Sequence, residues 1–227
     1  MSTNTTTIRA TEISLPTAYL AIATSGGVLL LLASLHIFSP EFDPSWRMVS
    51  EYANGQYSWV LSMMFALWAV SSWILAFMLW SQISTTAGKV GLFFLILAGV
   101  GEAMASVFDI NHSLHGLAGL IGIGSLPIAA MLISVSLGRE QEWSGAKKVL
   151  LLTANLTWFS IVLLAASFVL MIVTFTQSGA PMPAEPPTTL PLGVIGLVGW
   201  TNRFLIVAYC AWVMTVGWQA IKIQNHN

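Results

Sequence analysis

Long apolar stretches separated by short polar ones run the length of this chain. Six of them, at 16–38, 57–80, 90–108, 114–137, 149–176 and 201–221, are close to or above about 20 residues, the helical length that crosses a bilayer core. The runs are continuous rather than alternating, so they do not read as membrane-barrel strands. An open sheet would leave unpaired edges in lipid. The pattern predicts an all-α integral membrane protein, a single bundle of six transmembrane helices filling 16–222. A disordered polar tail, 1–15, precedes it and a short tail, 223–227, follows. The first tail is too polar for the n-region of a cleaved signal, and the apolar run behind it is too long for an h-region, so the first helix is expected to be retained.

Composition sharpens that picture. Of 227 residues, 56% are hydrophobic and 7% charged, whereas soluble domains carry roughly a quarter charged residues. A net charge of -1 offers no basic surface for nucleic acid. Cys210 is the single cysteine, which rules out an internal disulfide or a thiolate metal cluster. Orientation follows from Lys and Arg. With the N-terminus cytoplasmic, Arg9, Lys89, Arg139, Lys147, Lys148 and Lys222 fall inside, and only Arg47 and Arg203 outside. This bias puts both termini in the cytoplasm. Trp59 and Trp200 would then mark the outer interface, and Trp80 and Trp218 the inner one.

Small residues four apart, Gly99 with Ala103, Gly101 with Ala105 and Ala118 with Gly122, predict close helix approach. Pro127 is expected to kink the fourth helix. The third outer connection carries five of the nine prolines and should be extended. Its end, LGVIGLVGW, fits either an interfacial segment or an early start to the sixth helix. The ten methionines and the mid-helix Trp68, Trp73 and Trp212 read as packing.

Polar side chains able to do chemistry gather at the outer end. Glu102 and Asp109 are seven residues apart, about two helical turns, so a continued helix would point both the same way with Glu102 roughly 10 Å deeper. A carboxylate at that depth is expected to be neutral, paired or facing a wet cavity. As the floor of a pocket it would accept a proton or bind a cation; the alternative is a protonated side chain bonded to Ser or Asn. His112 and His115, three apart, would share a face if the turn is helical. With Asp109, and with His36 as a further nitrogen, they form a candidate site for zinc or another divalent metal. The HExxH signature is missing, and the bland reading is a pair of interfacial capping histidines. Haem between His36 and His112 or His115 has only two apposed histidines in its favour. Arg203 wants a carboxylate, and Glu51 or Asp109 would provide it; a lipid headgroup or substrate carboxylate is the alternative. Ser50, Asp109 and either histidine would be the members of a serine triad, although no GxSxG elbow is present.

Ser50-Glu51 before the second helix, Phe108-Asp109 closing the third, His115-Gly116 opening the fourth, and Gly199 with Asn202-Arg203 opening the sixth resemble the domain-of-unknown-function 998 membrane proteins of bacteria and archaea. That resemblance covers about 20–222. It implies six helices with polar positions clustered at one end, and no established reaction. A proline that the family often has before the aspartate is absent here. Ser50, Asp109, His112 and His115 are also similar to the set that alkaline ceramidases and progestin-adiponectin receptors use around zinc, but the late HxxxH of that group is missing.

Three functions follow as expectations. The first is an outer-face pocket that binds a lipid headgroup, small amphiphile or ion, with Glu51, Glu102, Asp109, His115, Asn202 and Arg203 as its ligand-binding residues. The second is a metal-assisted lipid hydrolase or transferase using Asp109, His112, His115 and Ser50. The third is a non-catalytic subunit of a larger membrane complex. Membrane lipid is the expected partner, together with other subunits or further copies of the chain. The expected location is the inner or plasma membrane of a bacterium or archaeon.

Overall fold

A computed structural model describes residues 14–181 and 188–226. Apart from Ser14 and Leu15, the predicted disordered tail lies outside the described residues, as does much of the proline-rich connection. Six long helices account for most of the rest: α1 (Leu15–Phe38), α2 (Ser58–Leu79), α3 (Thr86–Val107), α4 (His115–Leu137), α5 (Lys147–Gln177) and α6 (Val198–His226). Each is long and apolar enough to cross a membrane. Short 3-10 turns, Val49–Asn54 and Gln141–Ala146, sit in two of the connections. Among the described residues there is no strand.

Helix boundaries depart from the hydropathy limits for local reasons. Pro16 occupies the first turn of α1, where a missing N–H costs nothing. The hydroxyl of Thr85 accepts the Gly88 N–H at 3.1 Å, so α3 begins four residues before the apolar run. Such a cap holds a first turn that is too polar to register as membrane-spanning. α4 is assigned as one helix through Pro127. α6 starts at Val198, after a non-helical 190–197, and continues to His226; residues 223–226 of the expected tail are therefore helical.

Each helix packs on its neighbours in sequence, and α6 returns to pack on α1, so the bundle closes into a ring. α6 also touches α2 and α4, which draws its Ala208, Cys210, Trp212 and Val213 into the interior. Lipid chains are as apolar as leucine, so close backbone packing and interhelical hydrogen bonds carry the association. At the α3–α4 contact, a Cβ on Gly101 would run into the backbone of Gly122 and the Ala118 carbonyl. Gly99 lies against the Trp73 indole, whose N–H donates to the Ile96 carbonyl at 3.1 Å. Trp212 Nε1 donates to Ser134 Oγ at 3.0 Å, Tyr209 Oη to the Ile123 carbonyl at 2.8 Å, and Ser25 pairs with Ser71 at 2.6 Å. Such bonds are worth roughly 0.6 kcal/mol each in membrane helices.

The connections 39–57 and 108–114 and the described residues of the last one, 178–181 and 188–197, share one end of the bundle, here the polar end. The connections 80–85 and 138–146 lie at the opposite, basic end, together with the start of α1 and the end of α6. Trp59 and Trp200 are exposed near the polar end, and Trp80 and Trp218 near the basic one.

Candidate functional site

The polar end is organised by Arg203, in the second turn of α6 and only 5% exposed. Its Nε donates to His36 Nε2 at 2.7 Å. Nη1 donates to the Arg47 and Gly199 carbonyls at 2.7 and 3.0 Å, and Nη2 to Tyr52 Oη at 2.9 Å. The partner expected from sequence was a carboxylate; the observed partners are uncharged oxygens and an imidazole. Glu51 is instead ion-paired with Arg47 and accepts the Met48 N–H at 2.7 Å. Asp109 accepts the Asn111 N–H at 2.9 Å.

Arg203 thus fastens the 39–57 connection to α6. Two further contacts reinforce it. The Gly199 and Trp200 N–H groups donate to the Ser45 carbonyl, and the Val49 N–H donates to Asn202 Oδ1 at 2.9 Å. Gly199 has to be glycine, because a side chain there would strike the backbone of Pro44, Trp46 and Arg47. Within the loop, the backbone N–H and hydroxyl of Ser45 both donate to Asp43. These bonds hold its carboxyl below the ordinary 3.8.

Beneath this loop lies a cavity of about 310 Å³ between α2, α3, α4 and α6. Ser50, His115 and Asn202 line it near the polar end, and Trp68, Glu102 and Tyr209 line its deeper part. Phe65, Ile123, Leu205 and Ile206 supply apolar wall. From Val198 to Tyr209 is eleven residues of α6, roughly 16 Å at the helical rise. The cavity therefore extends to about the middle of a bilayer core near 30 Å thick. Gly116 and Gly119 of α4 also line it, and a Cβ on either would meet nothing within 4 Å.

The polar groups around the cavity are poorly supplied with partners. His115 Nδ1 donates to the Phe108 carbonyl at 2.9 Å, which leaves Nε2 with its lone pair. The Val49 N–H fixes the oxygen of the Asn202 amide, so the amide NH2 is the group left over. Neither that NH2 nor Ser50 Oγ has a hydrogen bond among the described residues. Ser72 Oγ donates to Glu102 Oε2 at 2.8 Å. Glu102 Oε1 and Trp68 Nε1 are both buried with no partner, an arrangement that normally costs free energy.

A second recess of about 130 Å³ adjoins the first, with Ser58, Ser62, Ser106 and Asp109 on its walls. Ser50 and His115 line both cavities, so they form part of the partition between them.

Of the residues singled out in the sequence, the larger cavity unites Ser50, Glu102, His115 and Asn202. Glu51 and Arg203 are committed to the loop. α3 stops at Val107, so the helical projection from Glu102 does not carry through to Asp109, which reaches only the smaller recess. His112 is exposed in the turn, stacked on Phe108 with ring centroids 4.5 Å apart. Its Nδ1 accepts the Leu114 N–H at 3.1 Å, and it shares no helical face with His115. His36 has one ring nitrogen on the Leu32 carbonyl and the other on Arg203. Among the described residues no three His, Cys, Asp or Glu side chains draw together as a metal-holding group. His115 is oriented by a backbone carbonyl rather than by Asp109, and it makes no hydrogen bond to Ser50.

Sequence reasoning missed Trp68, Gly116, Gly119 and Tyr209 as cavity residues. The recurrence of glycine in HGLAGLIGIG was the available signal. Three positions spaced by three, 116, 119 and 122, keep one stretch of α4 bare.

Six apolar helices closed into a ring around a partly polar cavity define a multi-pass membrane protein. The chain matches the family described as "Protein of unknown function (DUF998)" over residues 22–219 and belongs to that family. No curated protein and no solved structure matches the chain.

Proposed function

We propose that this protein is a membrane-embedded binding protein whose larger cavity holds a lipid headgroup or small amphiphile. The polar end would face the non-cytoplasmic side of a bacterial or archaeal plasma membrane, as the Lys and Arg distribution favours. One observation carries the reading: about 310 Å³ of mostly apolar space is lined toward the polar end by Ser50, His115 and Asn202, with hydrogen-bonding capacity to spare. That volume lies at the small end of the range for ligand cavities, and apolar walls with a few convergent polar groups are their usual lining. Gly116 and Gly119 of α4 widen the space where side chains would otherwise fill it.

Native mass spectrometry of gently purified protein tests the reading. A phenylalanine at 119 would occupy the cavity without meeting protein at its Cβ. Gly119→Phe should therefore strip a co-purified amphiphile from an otherwise folded protein. His112→Ala, outside the larger cavity, should leave it bound. Equal retention by parent and Gly119→Phe would overturn the assignment.

A further inference from the structure

The deep end of the cavity has a charge character of its own. Glu102 is 4% exposed, and its carboxyl receives a single hydrogen bond, from Ser72. Its other oxygen, Oε1, has no partner. Among the described residues no lysine or arginine lines the cavity. The buried guanidinium nearest in sequence to the lining, Arg203, is spent on uncharged acceptors, and Arg47 on Glu51. The remaining described cations, Lys89, Arg139, Lys147, Lys148 and Lys222, belong to the basic end. No described cation pairs with this carboxyl, although intramembrane ionisable groups normally find a partner.

Aromatic side chains share the cavity with it. Trp68 stacks on Phe65 with centroids 6.4 Å apart and meets Tyr209 edge-on at 6.0 Å, and all three line the same cavity as Glu102. Aromatic rings beside a carboxyl group that no protein cation pairs favour a positive group. We propose that the deep end of the cavity is a site for an organic ammonium group, with Glu102 as its counter-ion and Trp68, Phe65 and Tyr209 as its aromatic wall. This rests on the cavity being a binding site, and it names the class of ligand. The ammonium is carried either on a lipid headgroup or on a free amine. The rival is a neutral hydroxyl, which would satisfy both Trp68 Nε1 and Glu102 Oε1 without bringing a charge.

Binding of benzylammonium, benzyl alcohol and benzoate to the purified protein, measured by calorimetry at pH 7, separates these. Benzylammonium should bind about tenfold more tightly than benzyl alcohol, the ratio that one desolvated ion pair or cation–π contact supplies, and benzoate should bind worst. Glu102→Gln keeps an acceptor for Ser72 and should abolish the preference for the ammonium over benzyl alcohol. Its unfolding temperature, measured alongside, shows that the variant is folded. Alcohol binding as tight as ammonium binding, or an ammonium affinity untouched by Glu102→Gln, overturns the proposal. If Gly119→Phe weakens benzyl alcohol while no charge preference exists, only the ammonium assignment falls. If all three probes bind parent and Gly119→Phe alike, the cavity reading falls with it. Glu102-dependent retention of phosphatidylethanolamine in native mass spectra identifies a headgroup source, and benzylammonium binding without it identifies a free amine.

Discussion

Replacing Arg203 should show what a buried cation without a carboxylate does for this bundle. Arg203→Met removes donors from His36 Nε2, the Arg47 carbonyl and Tyr52 Oη; the Gly199 carbonyl keeps its place in the helix ladder. Three such bonds from a charged donor, at about 1.5 kcal/mol each, amount to roughly 4–5 kcal/mol. Methionine recovers part of this because it carries no charge to desolvate. The expected net loss is about 2–4 kcal/mol. Arg203→Lys should be no better than methionine. Lysine keeps the buried charge but lacks the planar fork that reaches His36, Tyr52 and the loop carbonyl together. Reversible unfolding in mixed micelles measures the loss, and amide exchange over residues 43–52 reports release of the loop. If lysine restores stability to within about 1 kcal/mol of the parent, the fork is not what matters and the reasoning fails.

Three further outcomes are expected. Gly101→Leu should destabilise the α3–α4 contact by about 1–3 kcal/mol, the usual range for overpacking, whereas Gly119→Ala should be close to neutral; equal effects in unfolding assays would contradict the packing described. The Asp43 carboxyl is held below its ordinary 3.8 by Ser45, so its contribution to the loop is complete above that value and disappears as pH falls through the lowered one; Asp43→Asn should remove this acid sensitivity from amide exchange at 43–47. With Cys210 replaced by alanine, cysteines at the exposed positions 112 and 142 should be labelled by an impermeant reagent from opposite faces of the membrane. Labelling from the same face would refute the topology.

Helix number was legible because the apolar runs in this chain are long and its polar breaks short, and little else in six spans competes with that signal. The starts of α3 and α6 were not. Thr85 caps a polar first turn that hydropathy discounts, and residues 190–197 are apolar without being helical. For the site, Glu102 stood out as a carboxyl within an apolar run, and Ser50, His115 and Asn202 fell where chain order put them. Arg203 was misjudged because sequence shows which residues carry charge and is silent on backbone carbonyls, two of which are its actual acceptors. Asp109 was assigned to the face of Glu102 because spacing cannot say where a helix stops. Trp68 read as packing since an indole with an unmet N–H looks in sequence like any other.

The inward seat of α6 bears on how the protein is made. Asn202, Leu205, Ile206 and Tyr209 belong to α6, which leaves the ribosome after the other five helices, and they form one side of the cavity. Until that segment inserts between α5 and α1, the earlier five form an open arc, and Glu102 faces whatever fills the gap. Ligand capacity therefore arrives in one step, when the closing helix seats itself and its arginine finds the waiting loop.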